Sequence, residues 1–545
     1  MAKRRPPRSV SARGLGETAI APLAPPAWRP VALTLSAAGL LALPLFVPAT
    51  FFVAWFALTP FLTALQTSNR RFAFLLSLLF GWVYHGLANY WLVPTVTDLG
   101  PFATIPISTM KVWALLAFVV LLFWQGLFAV LFGALTWLLL RQGVDGWRSV
   151  GIGACWLLTE WLRSLGLFGY PWALLASSQV AFLPLLQAVA WVGSFGLGGI
   201  LSSVNALWLA GWQQRKGGYL AIAFSILAGL SFLGWVDMER ITRLSQATPH
   251  LRVAVVQGNF GKERWRPDVS FDELKAILWT HLRLSAQAAR QGARLIVWSE
   301  TALPWRLREN GRWGYGAREI QLLTERYRVA LLVGAGEWWG GKSFNACFFF
   351  APQKAHQRTD VVHKIRLVPF GEFLPWRERF PWLAKWLPHA PIETTFGTLP
   401  NFPPSLRLDG KIVKPATLVC FESLFPFHLR YLLRAFSRQS PPVNLVVILT
   451  NDSWFGNTLA PYHHARVALL RAVEFRRAVV RGAGTGISLI ALPTGKVVRW
   501  AGWNERRVLV ANVPLLSTFS VYSVLGDLPF VLLAGAIVGW LLRRR

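Results

Sequence analysis

LVCFES, Leu418 to Ser423, decides how the rest of the chain is read. An apolar, β-branched run from Lys414 to Val419 delivers Cys420 to its end, and Phe421 and Glu422 follow at once. A strand that ends on a cysteine holds the sulfur on a rigid element while the next turn opens toward substrate. Cysteine suits acyl chemistry, because its thiolate attacks carbonyls near neutral pH and forms a thioester. An isolated cysteine in an apolar run also fits an inert core thiol. The wider sequence has to choose between the two.

Composition points to a membrane. The chain has 545 residues, of which 54% are hydrophobic, and its mean hydropathy is +0.41. The 29 tryptophans suit headgroup-level positions. Lys and Arg number 56 against 25 Asp and Glu, a formal charge of +31. Such an excess favours an anionic partner. With long apolar runs present, that partner is a lipid surface and not nucleic acid. Three cysteines, Cys155, Cys347 and Cys420, leave at least one thiol free, and a disulfide framework is not expected.

Residues 1–29 read as a basic, Pro-rich, disordered cytoplasmic tail. No small-residue cleavage site follows it, so the first apolar run is taken as a retained helix and not a signal peptide. Apolar segments near 31–48, 50–67, 72–93, 112–140, 150–166, 180–211 and 219–236, and a last one near 524–542, predict about eight transmembrane helices. Each approaches or exceeds the roughly 20 residues that cross a bilayer. The segment 150–166 fits least well, because it carries Glu160 and Arg163, a pair that serves either a functional site or a snorkelling helix end. SLGLFGYPWALLASSQ (164–179) reads as an interfacial aromatic anchor, with a re-entrant loop as the other reading. Basic residues at 70–71, 141–148, 213–216 and 543–545 fall on one side, which places both termini in the cytoplasm and residues 237–520 outside. The expected division is tail 1–29, helices one to seven over 30–236, a catalytic domain over 237–520, and a final helix with an Arg tail over 521–545.

From about residue 250 the texture becomes α/β. Strands are predicted at 252–258, 294–298, 330–334, 346–351, 416–420, 444–449, 486–492 and 508–513, with helices at 271–291, 316–328 and 461–477. Two further groups sit where chemistry would want them. Glu300 closes RLIVWSE, where a carboxylate can act as a general base. Lys364 lies in VVHKIRLVPFGEFLP, where an ammonium can hold an oxyanion. Singly, these also fit a surface carboxylate and a solvated lysine.

Their order and context resemble the nitrilase, or carbon–nitrogen hydrolase, superfamily, across roughly 250–515. That resemblance implies an αββα sandwich with Glu300 as general base, Lys364 as oxyanion stabiliser and Cys420 as nucleophile. Helices before and after such a domain, together with KIRLVPFGEFLP (364–375), VCFES (419–423), NDSWFG (451–456), RAVEFRR (471–477), GAGTGIS (482–488) and FGYPWALLASSQ (168–179), resemble the apolipoprotein N-acyltransferase family. The resemblance implies a bacterial inner-membrane enzyme with a periplasmic catalytic domain, expected to be a monomer. It implies a ping-pong reaction: a phospholipid donor, typically phosphatidylethanolamine, acylates Cys420 from its sn-1 chain, and the α-amine of a diacylglyceryl-cysteine apolipoprotein takes the acyl group. It further implies assisting roles for Glu372 and Glu422 and substrate contacts for Trp265, Phe421 and Trp454. Phe421 departs from the Tyr usual in the family. Asn451 and Asp452 read as turn formers. Trp376, Trp382 and Trp386, in an apolar loop, suit a lid that dips into the interface.

No cofactor is expected. No metal is either, because His463 and His464 have no ligand partner at metal-binding spacing. The alternatives are a membrane-tethered amidase with water as acceptor, and a non-catalytic transporter or lipid-binding protein.

Overall fold

The computed structural model describes residues 28–98, 106–266, 268–352, 361–382, 393–399, 404–437 and 442–544. Residues 1–27 of the expected tail 1–29, and Trp386, lie outside them, and residues 28–29 begin the first helix.

Among the described residues, six helical segments are long and apolar enough to cross a membrane: Trp28–Phe46, Pro48–Gln66, Arg70–Asn89, Ile107–Leu140, Val189–Gln214 and Gly217–Gln246. Two shorter apolar helices, Gly146–Leu162 and Leu528–Arg543, accompany them. Local chemistry sets their starts. Asn69 accepts the N–H of Phe72 at 2.9 Å and Asp145 accepts that of Arg148 at 2.8 Å, capping two helix starts. Small residues bring helices together: a Cβ on Gly153 would stand 2.3 Å from the Gly199 carbonyl, so Gly146–Leu162 and Val189–Gln214 cross almost backbone to backbone. The helix expected at 219–236 continues to Gln246, carrying Asp237 and Arg240 beyond the apolar stretch.

The second half is two sheets packed face to face. One has eight strands, with Arg507–Pro514, His250–Gln257, Leu295–Val297, Ala330–Trp339, Arg306–Glu309 and Arg312–Trp313 in that order. Lys342–Phe350 and Val361–His363 add to it beside Ala330–Trp339. The other runs Pro415–Val419, Leu445–Thr450, Val479–Ala483, Ser488–Ala491, Val497–Ala501. Its first three strands are parallel, and they are buried throughout and mostly apolar because both faces are covered. Val253, Val255, Leu295 and Leu332 of the first sheet pack against Leu445, Val447, Leu449 and Val480 of the second. Helices Phe271–Arg290 and Ala317–Tyr327 cover the first sheet's outer face. Pro426–Ala435 and Ala460–Phe475 cover the second's. Ser270 and Glu273 form a capping box that starts the first of these helices.

This is the expected αββα sandwich. Among the described residues, seven strands were not expected, Val479–Ala483 inside the second sheet and Val497–Ala501 at its edge among them. Val479–Ala483 carries a buried Arg481 and follows Arg476-Arg477, charges that hide a strand. Val497–Ala501 is an edge strand of mixed polarity.

The interfacial-anchor reading of 164–179 is overturned. Residues 171–172 and 174–179 are buried in protein. Arg163 and Glu160 are buried too and pair at 3.4 Å, so they are not a snorkelling pair. Arg163 Nη1 donates to the carbonyls of Tyr170 and Trp172 at 2.9 Å each, and Glu160 accepts the N–H of Leu175 at 2.9 Å. A loop whose backbone polar groups are held this way can be buried at low cost.

The two halves meet along that loop. Trp91, Tyr170 and Trp172 of the helical half pack with Phe421, Leu424, Phe425 and Phe455 of the sandwich. Arg366 Nη2 donates to the Gly166 carbonyl at 3.0 Å, and Phe168 stacks on Phe370 and meets Trp376 at a tilt. Arg476 bridges Asp237 and Gln187.

Candidate active site

Three strand ends converge. Val419 ends a strand of the second sheet and Cys420 follows it with φ +53°, in the left-handed region. That conformation is strained for a side chain with a Cβ. It turns the chain sharply from strand into the 3₁₀ turn Cys420–Leu424. Glu300 follows the Leu295–Val297 strand of the first sheet, and Lys364 follows Val361–His363.

Lys364 is 1% exposed. Its Nζ lies 3.0 Å from Glu300 Oε1 and 2.9 Å from the Glu372 carboxylate. Burial opposes its charge, but Glu300, Glu372 and Cys420 outweigh that and hold the ammonium well above its ordinary pKa. Asn345 Nδ2 bridges the two carboxylates, at 2.8 Å from Glu300 and 3.1 Å from Glu372. The backbone N–H of Asn451 donates to Glu300 Oε2 at 2.8 Å, and that of Val368 donates to Glu372 Oε2 at 2.8 Å. Both carboxylates are therefore fixed in place, not free to rotate.

Cys420 is half-buried at its surface, whereas Cys155 and Cys347 are fully buried. Enclosure of the Cys420 thiol pushes its pKa up, Glu300 pushes further, and Lys364 pulls the other way. The thiol is thus held protonated beside an ionisable carboxylate and a fixed cation. Glu300 is a carboxylate within electrostatic reach of that thiol.

Glu422 works as a bracket. Its Oε1 accepts the N–H groups of Ile365 and Arg366 at 2.6 and 3.0 Å, and its Oε2 accepts that of Val419 at 2.7 Å. The segment after Lys364 is tied to the strand that carries Cys420.

The aromatic residues divide. Phe421 packs edge-on against Phe425 in the cluster between the two halves. Trp454 lies at Asn451: with the Asn451 amide oxygen turned toward them, Trp454 Nε1 and Arg264 Nη2 each donate at 3.3 Å. Trp265 stacks under Arg264, whose guanidinium is 5.6 Å from the ring centroid. Burial lowers Arg264 to about 10, against the pull of Glu300. Trp376 reaches the helical half through Phe168 but is 54% exposed, and Trp382 is 58% exposed and, among the described residues, meets the ring of Phe380. Trp382 is not brought to the site.

Residues that sequence reasoning passed over include Asn345, Arg264 and the Asn451 amide. Asp452 is no simple turn former: it is fully buried between His464 and Arg481. Among the described residues, no group of three or more His, Cys, Asp or Glu is placed to hold a metal ion.

Family models now fit this geometry. Residues 252–521 match carbon-nitrogen hydrolase, and residues 37–207 match the apolipoprotein N-acyltransferase N-terminal domain. An apolipoprotein N-acyltransferase from Gloeobacter violaceus is 32% identical over 494 residues, covering 89% of this chain and 88% of that protein. The chain belongs to the apolipoprotein N-acyltransferase family. A member from Geobacter metallireducens is 29% identical over 504 residues, with 89% and 90% covered. Among solved structures, a carbon–nitrogen hydrolase superfamily protein from Xanthomonas campestris aligns at 15% identity and TM-score 0.35, covering 52% of this chain and 97% of that one. Membership joins the two halves of this molecule in one family: the helical half carries one family model and the sandwich with its cysteine the other.

Proposed function

We propose that this chain transfers a fatty acyl group from a phospholipid to the N-terminal α-amine of a diacylglyceryl apolipoprotein, through a thioester on Cys420. The observation that carries the reading is the convergence of Lys364, Glu300 and Glu372 within 3.0 Å contacts, coupled electrostatically to Cys420, where the sandwich meets the helical half.

Glu300 takes the thiol proton as sulfur attacks an ester carbonyl of the donor. The oxyanion forms beside Lys364, which is already charged and fixed, so little reorganisation is needed. Collapse expels the lysophospholipid alkoxide, which receives the proton from Glu300, and the thioester remains. The acceptor amine then attacks the thioester carbonyl. Glu300 accepts the amine proton, an amide forms, and that proton returns to the departing thiolate. Glu372 orients Lys364, and Glu422 fixes the Lys364 segment to the nucleophile strand. Trp265, Phe421 and Trp454 line the approach, and the segment bearing Trp376, docked on Phe168, shields the thioester from water.

The charge pattern supports a bacterial inner-membrane protein with both termini cytoplasmic, eight crossings and the sandwich on the periplasmic face, working as a monomer. The domains divide near 29, 236 and 520, with the last helix of the first half running on to Gln246. A phosphatidylethanolamine-like donor giving its sn-1 chain fits a site that opens between bilayer helices and a periplasmic domain.

The test is mass spectrometry of the full-length protein from membranes after incubation with phospholipid. A hydroxylamine-labile acyl adduct on Cys420, discharged by a diacylglyceryl-cysteine peptide with amide formation, is expected. Rapid release of free fatty acid without peptide would favour a water-using amidase. Full activity in Cys420→Ser with no adduct would exclude the mechanism.

A further inference from the structure

The mechanism leaves one buried polar network unused. His464, on the Ala460–Phe475 helix, faces the nucleophile turn. Its Nε2 lies 3.3 Å from the carbonyl oxygen of Cys420 and 3.1 Å from Ser423 Oγ. Ser423 Oγ itself donates to the Cys420 carbonyl at 2.8 Å. On the ring's other side, Nδ1 lies 3.0 Å from Asp452 Oδ1. Arg481 Nη2 holds Asp452 Oδ2 at 2.9 Å, and Thr450 Oγ1 donates to Asp452 Oδ1 at 2.9 Å. His464, Asp452, Arg481, Ser423 and Thr450 are each at most 2% exposed.

Such a network is costly to bury unless every member is satisfied, so it acts as a rigid unit. The sequence leaves room for it: a Cβ on Gly486 would stand 2.2 Å from Asp452 Oδ2, which explains a glycine within GAGTGIS. The network also has two ends. One grips the carbonyl of a residue held at φ +53°, a conformation that persists only when its surroundings over-determine it. At the other, the His464 ring lies 5.9 Å from the ring of Trp172, from the buried loop of the helical half.

We infer that His464 is a positioning residue for the nucleophile. Anchored by Asp452 and Arg481, it pins the Cys420 carbonyl together with Ser423, and so keeps the strained turn that aims the sulfur at the acyl carbonyl. Its contact with Trp172 ties that turn to the membrane-side loop. The inference rests on the acyl-transfer reading for the identity of the substrate, though not for the reactivity of the thiol.

The test uses the full-length protein in phospholipid vesicles, with three readouts: thioester formation on Cys420, thermal unfolding, and alkylation of Cys420 by iodoacetamide. His464→Phe keeps the ring's bulk and removes both nitrogens. It is expected to slow thioester formation by about tenfold or more, with KM for phospholipid changed less than about twofold, as fits an aiming defect. His464→Gln restores a donor near Nε2 and is expected to recover the rate to within about threefold of wild type. Alkylation is expected to slow in parallel in His464→Phe. Thioester formation by His464→Phe within about twofold of wild type would overturn the inference. So would equal loss in the Phe and Gln variants with a matching fall in unfolding temperature, since the ring would then be packing alone. If wild type is alkylated faster than His464→Phe but never carries an acyl group, the positioning role stands and the acyl-transfer reading falls.

Discussion

Glu422 Oε1 accepts the backbone N–H of Ile365 at 2.6 Å, across 57 residues of sequence. With the bonds to Arg366 and Val419, one carboxylate satisfies three backbone donors from two segments. The segment bearing the cation is thereby set against the strand bearing the sulfur. Glu422 sits two residues past Cys420, so the turn that carries the sulfur also carries the clamp that locates the Lys364 segment.

Glu422→Gln turns one carboxylate oxygen into an NH₂ that faces backbone donors. Charge-assisted hydrogen bonds contribute about 1.5–3 kcal/mol each, so loss of even one is expected to lower thioester formation by about tenfold to a hundredfold. Mass spectrometry of Cys420 after a timed exposure to phospholipid checks this. A rate equal to wild type would show that the clamp does not set the Lys364 position.

Lys364→Met removes the cation between the buried Glu300 carboxylate and the half-buried Glu372 carboxylate. Breaking a buried charge pair from one side costs about 3–5 kcal/mol. The variant is expected to unfold at lower temperature and to form no thioester. Lys364→Met combined with Glu372→Gln is expected to be more stable than Lys364→Met alone, because one unpaired charge is gone. A double-mutant cycle on unfolding temperature measures that coupling.

Arg163→Leu takes away the donors to the Tyr170 and Trp172 carbonyls and leaves Glu160 without its cation. The loop 164–179 is expected to become cleavable by protease in detergent, and acyl transfer is expected to fall by at least about tenfold. Cleavage that stays at the wild-type rate would show that the loop is held without Arg163.

Glu474 gives a pH test. Its carboxyl is fully buried against Ser194 and Arg471, and burial raises it to about 7. The folded pKa lies above the unfolded one, so the folded state binds more protons between about 4.5 and 7. Stability contributed by the protonated form is present below the unfolded value and falls as pH rises through about 7. Glu474→Gln keeps an acceptor for the Ser194 N–H and carries no charge. It is expected to unfold at a higher temperature than wild type at pH 8, about the same at pH 5, and with a flatter pH profile. A steeper profile would reverse the sign.

Much of this molecule is written in local pattern. Apolar runs long enough for a bilayer, the apolar strands, and the 3.6-residue rhythm of Phe271–Arg290 each declare themselves within a short window, because burial of a helix or strand face depends on near neighbours in sequence. Glu300, Lys364 and Cys420 were legible as candidates because each follows such a run. What no window shows is convergence. Asn345 joins Glu300 to Glu372, Asp452 reads as a turn residue until Arg481 and His464 surround it, and an aromatic loop that looks like a surface anchor is buried once Arg163 reaches its carbonyls. Buried polar groups need partners, and those partners come from segments dozens to hundreds of residues apart, brought together by strand order and by the docking of two halves. The sequence alone therefore determined the membrane helices, the sandwich and the reactive residue types. Only the tertiary structure decided which buried polar atoms meet, and so which residues aim the sulfur.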